Sequence, residues 1–440
     1  MLITNAIIVN EGRRYPADVL IRGERIEKIA PQITAHGNVE VIDAAGRLLL
    51  PGMIDDQVHF REPGLTHKGD LATESAAAVA GGITSFMDMP NVNPQTITRA
   101  ALADKYRIAA GRAHANYAFY MGTTNDNLAE LEALQKGEAC AIKIFMGAST
   151  GNMLVDDPAT LEKIFARAPV LVVTHCEDTP MIKANEDAAR AKYGEAVPFS
   201  EHPYIRSVDA CWKSTELAVG LARRHGTRLH VLHLTSAREL AFFEPGPVEG
   251  KQITVEACVH HLYFDESRYA DLGARLKCNP AVKTLADREA LVAAVREGRI
   301  DIIATDHAPH TREEKAGSYF KAPSGLPLVQ HALLALLDLV DRGELTLETV
   351  VARASHAPAL RFGVVDRGFI REGAYADLVL IDPTAETHVT PESVRYKCGW
   401  SPFDGHTFSS RIDATWVNGQ LVYRDGALRP QALGQRLQFA

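Results

Sequence analysis

The chain has 440 residues, of which 46% are hydrophobic, 23% charged and 7% aromatic, a balance that excludes a disordered or fibrous protein. The formal net charge is -8 and no basic run exceeds two residues, which argues against nucleic acid as a partner, because phosphate backbones are bound by clustered Lys and Arg. The length exceeds the ~250–300 residues at which single cores stop growing, so a large domain plus a smaller one is expected.

The chain opens on β-type runs at residues 2–9, 18–21, 25–29, 39–43 and 48–50. The first has no basic n-region and reads as a strand, not as a signal peptide. After Pro51-Gly52, eight short apolar runs alternate with helical stretches. The runs are 53–59, 83–87, 116–120, 141–145, 170–175, 229–233, 253–258 and 300–306, and the clearest helices are 72–80, 128–136, 159–166, 209–225 and 286–297. This α/β alternation predicts a (β/α)8 TIM-type barrel over residues 51–364. A doubly wound sheet fits less well, since no G-x-G-x-x-G follows the first run. The tail returns to β-type runs at 377–381, 412–417 and 420–423, the last two joined by Asn418-Gly419, a strong hairpin signal. Neither end is long enough for its own core, so residues 1–50 and 365–440 are expected to pair into one composite β domain.

No apolar run approaches the ~20 residues needed to span a bilayer. The six cysteines are scattered without a C-x-x-C pair, which suits a reducing compartment. A cytoplasmic protein that binds neither membrane nor nucleic acid is therefore expected.

Polar residues fall at the predicted strand ends, where a barrel of this type builds its active site. The first strand ends in Gln57-Val58-His59, the fifth in His175, the sixth in His233 and the eighth in Asp306-His307, while the fourth carries Lys143 among apolar neighbours. Singly, each has a plain structural explanation: a hydrogen-bonded histidine, a snorkelling lysine or a helix-capping aspartate. Together they favour a metal hydrolase site, with imidazole and carboxylate suiting zinc. A cationic amine cannot bind a metal, so Lys143 fits such a set only as a carbamate, whose oxygens can bridge two ions.

From Pro51 to Leu326 the chain resembles the amidohydrolase superfamily, and within it the dihydroorotases. The motifs are Asp55-Asp56-Gln57-Val58-His59-Phe60-Arg61-Glu62-Pro63-Gly64, Met89-Pro90-Asn91, Lys143, Thr174-His175-Cys176-Glu177, His233-Leu234-Thr235-Ser236, Lys277-Cys278-Asn279-Pro280 and Ala304-Thr305-Asp306-His307-Ala308-Pro309-His310. The late Ala376-Asp377-Leu378-Val379-Leu380 run is widespread in the superfamily. The resemblance implies interconversion of N-carbamoyl-L-aspartate and L-dihydroorotate in pyrimidine synthesis. It implies one or two zinc ions per chain, with His59 and Asp306 on one, His175 and His233 on the other, and N6-carboxylysine at Lys143 between them. Asp306 would act as general base and then acid. Arg61, Asn91, Asn279 and His310 would bind substrate, Arg61 matching its carboxylate with a planar fork. Ser149 and Thr150 lie in a loop that covers substrate in some members. His260-His261 is expected to shape the site, and His202, His225, His230 and His388 to be structural. A homodimer and association with aspartate transcarbamoylase are implied as partners beside the small-molecule substrate.

One position departs from the pattern. Where the family has His-x-His, this chain has Gln57, and a neutral amide is a poorer zinc ligand than imidazole. A working enzyme with one firm metal and a non-catalytic scaffold are both compatible with that change, and the retained Lys143, His175, His233, Asp306 and Arg61 favour the enzyme. Allantoinase or dihydropyrimidinase is the rival enzyme, and Arg61 argues against it, because those rings carry no carboxylate.

Overall fold

The computed structural model describes residues 1–35, 37–149 and 151–440. Its middle is α/β. Strands Met53–Val58, Ile83–Asp88 and Asn116–Phe119 form one parallel sheet. Strands Met121–Gly122, Ile142–Phe145, Val172–His175, Leu229–Val231, Ile253–Cys258 and Ile302–Ala304 form a second parallel sheet in that order. Only Tyr120 separates the two. At the far edge Val58 bridges His307 in parallel, and the His59 N–H donates to the His307 carbonyl at 2.7 Å. These strands are almost wholly buried, which explains their continuous apolar runs.

The helices lie where local chemistry starts and stops them. Leu71–Ala80 begins at Asp70, whose carboxylate accepts the N–H groups of Ala72 and Thr73 in a capping box. Val208–His225 runs from the Ser207 cap to Gly226 in the left-handed conformation. The helix expected over 128–136 is shorter, Leu128–Glu132. Asn127 does not cap it, its amide going instead to the Ile97 and Gly122 carbonyls. Beyond it, Glu138 draws the chain out of helix by accepting the Gln135 N–H and the Arg99 guanidinium.

Segments from both ends of the chain share one nine-stranded sheet. Strand Leu48–Pro51 lies between Leu2–Asn10, parallel to it, and Leu378–Asp382, antiparallel to it. The hairpin of Arg411–Val417 and Gln420–Arg424 turns at Asn418 and Gly419, both with positive φ (51° and 72°), as a type I′ turn requires. Leu50, Val379, Ile381 and Ile412 of this sheet belong to the same apolar core as Val79, Ile83 and Leu333 of the α/β part. All six cysteines are buried and unpaired. Among the described residues no helix is long and apolar enough to cross a membrane.

Candidate active site

The ends of the parallel strands and the loops after them surround a pocket of about 330 Å³, within the range of small-molecule sites. Gln57, His59, Arg61, Asn91, Lys143, Ser149, His175, His233, Asn279, Asp306 and His310 all line it. The residues singled out from the sequence thus converge on one cavity, save Thr150, which lies outside the described residues.

Two pairs of ligand-type atoms face each other across it. His175 Nδ1 lies 2.9 Å from His233 Nε2. His175 Nε2 is 2.8 Å from Glu177 Oε2, and Arg206 closes on the same carboxylate at 2.5 Å. A carboxylate on Nε2 keeps the proton there and leaves the Nδ1 lone pair for the pocket. Burial alone would raise Glu177, but Arg206 and His175 outweigh it and hold its carboxyl down at about 2. Burial pushes both His175 and His233 below the usual imidazole value, so both rings are neutral, the form that binds metals.

The second pair is His59 Nε2 and Asp306 Oδ1, 3.1 Å apart. His59 Nδ1 donates to Asn91 Oδ1 at 2.8 Å, which fixes the orientation of the ring and points Nε2 toward Asp306. Burial opposes the ionised form of Asp306, yet the contact with His59 outweighs it and holds its carboxyl below the ordinary value. Asn91 therefore orients a candidate ligand as well as lining the pocket.

Lys143 is 1% exposed, and burial pulls its amine down to about 7. Its Nζ lies 4.5 Å from the Phe145 ring centre. An amine in that range is substantially neutral near neutral pH, the nucleophilic form that a carbamate requires. Were Lys143 so modified, the two atom pairs and its oxygens would make a nitrogen and oxygen donor set of the type zinc prefers.

Arg61 sits at the rim of the same cavity, 6% exposed. Its Nε donates to the Pro309 carbonyl at 3.1 Å and its Nη2 lies 3.1 Å from His310 Nε2. Among the described residues no carboxylate lies within 4 Å of the guanidinium; Glu62, its sequence neighbour, pairs with Arg112 at 2.7 Å instead. Lys68 donates to His310 Nδ1 at 3.1 Å, and burial with the Arg61, Lys68 and Lys315 charges keeps this imidazole neutral. Asn279 Oδ1 is buried without a hydrogen-bond donor. Arg61, His233 and Asp306 all take positive φ (70°, 38° and 50°). For non-glycine residues this is strained backbone of the kind that gathers at working sites.

Other polar groups support the site without lining it. Asp55 accepts the Thr305 N–H at 3.1 Å and its hydroxyl at 2.6 Å, tying the first strand to the eighth. Glu74, from helix Leu71–Ala80, holds His307 away from the pocket at 2.8 Å. Neither role has a local sequence signal, because the partner is remote in the chain. Two further clusters of ligand-type atoms lie among the described residues: Cys258, His260 and His261, and Asp56, His230 and Glu256, each with its atoms within 4.8 Å of one another.

The fold and this strand-end pocket place the chain among the hydrolases of the amidohydrolase family, to which it belongs: the model of that family matches residues 48–422. A dihydroorotase of Halobacterium salinarum is 34% identical over 92% of this chain and 93% of its own length. An allantoinase of Bacillus velezensis is 31% identical over 97% and 94%. The solved structure of an L-hydantoinase (dihydropyrimidinase) from Arthrobacter aurescens superposes with a TM-score of 0.94 at 26% identity, covering 99% of both chains.

Proposed function

We propose that this chain is a zinc-dependent cyclic-amide hydrolase acting as a dihydroorotase, interconverting L-dihydroorotate and N-carbamoyl-L-aspartate in pyrimidine synthesis. The observation that carries this reading is Arg61, a buried guanidinium in the pocket with no protein carboxylate to pair it. An unpaired buried charge is costly, and a planar fork beside a metal-type donor set suits a substrate carboxylate. Dihydroorotate has one; allantoin and dihydrouracil do not.

The parallel strands are read as one closed (β/α)8 barrel over residues 51–364, with residues 1–50 and 365–440 as the β domain. His175, His233 and a carboxylated Lys143 would hold one zinc ion, and His59, Asp306 and the same Lys143 a second, weaker one. Carboxylation forms an N–C bond between the neutral amine and carbon dioxide and releases one proton to water. When bound, zinc supplies Lewis acidity and lowers the pKa of water. Asp306 takes the proton of the attacking water and returns it to the departing ring nitrogen. Arg61 and His310 hold the substrate carboxylate, and Asn279 Oδ1 accepts a ring N–H. A chain that only scaffolded aspartate transcarbamoylase would need none of these groups.

The test is turnover by the zinc-loaded protein of dihydroorotate, N-carbamoyl-L-aspartate, allantoin and dihydrouracil side by side. Dihydroorotate should be hydrolysed and the uncharged rings should not. Turnover of allantoin or dihydrouracil with none of dihydroorotate would overturn the reading. Intact-mass measurement under native conditions should show the added mass of one carbon dioxide, lost in the Lys143→Arg variant.

A further inference from the structure

We propose that Asp56, His230 and Glu256 form a second, wholly buried site for a divalent transition-metal cation of the zinc class, apart from the pocket. The three come from the first, sixth and seventh parallel strands or their flanks and are 0% exposed. Asp56 accepts no hydrogen bond on either carboxylate oxygen. A buried carboxylate left so is costly, and a neighbouring second carboxylate increases the cost.

The distances suit a metal better than a shared proton. His230 Nε2 lies 3.4 Å from Asp56 Oδ2 and 3.3 Å from Glu256 Oε2, the latter a long hydrogen bond. A charge-assisted N–H···O bond would close to about 2.7–2.9 Å. Ligands at about 2.0–2.1 Å from one tetrahedral zinc ion are instead separated by about 3.4 Å. The three donor atoms all lie within 4.8 Å of one another, and the two separations that involve His230 already stand at the tetrahedral spacing.

The surroundings are prepared for that use. His230 Nδ1 lies 2.8 Å from Thr254 Oγ1; with the proton on Nδ1, donated to the hydroxyl oxygen, the Nε2 lone pair faces the carboxylates. With the imidazole neutral and both carboxylates ionised the set carries a charge of minus two, which a divalent ion cancels; without an ion, burial and the neighbouring Asp56 push Glu256 up to about 8. Glu256 Oε1 also accepts the His233 N–H at 3.1 Å, so an ion here would brace the strained backbone of a pocket residue. With no solvent path, the ion would enter during folding and stay.

The experiment is an anomalous difference map at the zinc edge from crystals of the full chain grown with zinc. A peak between Asp56, His230 and Glu256, separate from any in the pocket, is expected. Absence of a peak there, with His230 drawn to 2.7–2.9 Å from a carboxylate, would overturn the proposal whether or not the pocket is filled. Elemental analysis after dialysis of the folded protein against a chelator gives a second readout. Wild type should keep one zinc per chain and release it only on unfolding, while Asp56→Asn should hold one fewer. An equal count in wild type and a folded Asp56→Asn would also overturn it.

Discussion

Gln57 and Asp306 are joined by a buried hydrogen bond: the Gln57 amide Nε2 donates to Asp306 Oδ1 at 3.1 Å, the same oxygen that His59 Nε2 approaches at 3.1 Å. Gln57 thus offers Asp306 a donor rather than offering the pocket a ligand. The amide oxygen turns away to the Cys258 thiol, 3.7 Å distant. The bond fixes the orientation of Asp306, whose carboxyl the His59 contact holds below its ordinary value, as a proton acceptor requires.

Asp306→Asn keeps the shape of the site and removes that acceptor. Turnover of dihydroorotate should fall by the ~10²–10⁴-fold typical of general acid–base catalysis, with the fold unchanged by circular dichroism. Near-normal turnover would remove Asp306 from the proton-transfer role.

Arg61→Lys keeps the charge but loses the planar fork. Losing one charge-assisted hydrogen bond, worth about 1.5–3 kcal/mol, should lower kcat/KM about ten- to a hundredfold, mostly through KM. Steady-state kinetics with dihydroorotate check this, and an unchanged KM would separate Arg61 from the substrate carboxylate.

Glu177 makes stability depend on pH. Its folded-state pKa, about 2, lies below the ordinary 4.5, so the Arg206 and His175 contacts favour folding above pH 4.5 and lose that effect as pH falls toward 2. The shift corresponds to about 3 kcal/mol. Thermal melts of metal-free wild type and Glu177→Gln should therefore differ clearly at pH 6 and converge toward pH 2. A pH-independent difference would mean that ionisation of Glu177 is not its source.

The order of strands and the positions of most pocket residues were legible because each depends on short-range pattern: a buried strand that runs out at His59 or His175, or carries Lys143, reads the same in sequence and in space. The Asn418-Gly419 hairpin was legible for the same reason. Other features depend on partners far apart in the chain. The Asn91 contact that orients the His59 ring spans 32 residues, and that of Asp55 with Thr305 spans 250. His230 has no neighbouring motif, and only the fold brings it to Asp56 and Glu256. The early end of helix Leu128–Glu132 likewise depends on Arg99 reaching Glu138.

The substitution at Gln57 yields the prediction most particular to this chain. In the proposed arrangement His175, His233 and carboxylated Lys143 already make a three-ligand set with an open position, as catalytic zinc favours. The pair of His59 and Asp306 lacks the further imidazole that the family pattern supplies, and the Gln57 amide N–H group occupies Asp306 Oδ1 instead. Wild type should therefore bind one pocket zinc firmly and a second weakly. Gln57→His would replace the donor with a lone pair and should raise the firmly held pocket count by one, if the ring fits in the space now bounded by Asp306 and Cys258. Elemental analysis of wild type and variant after gentle dialysis, each corrected for the Asp56 site with the Asp56→Asn background, checks this. Two equally tight pocket ions in wild type would show that the amide at position 57 does not weaken the site.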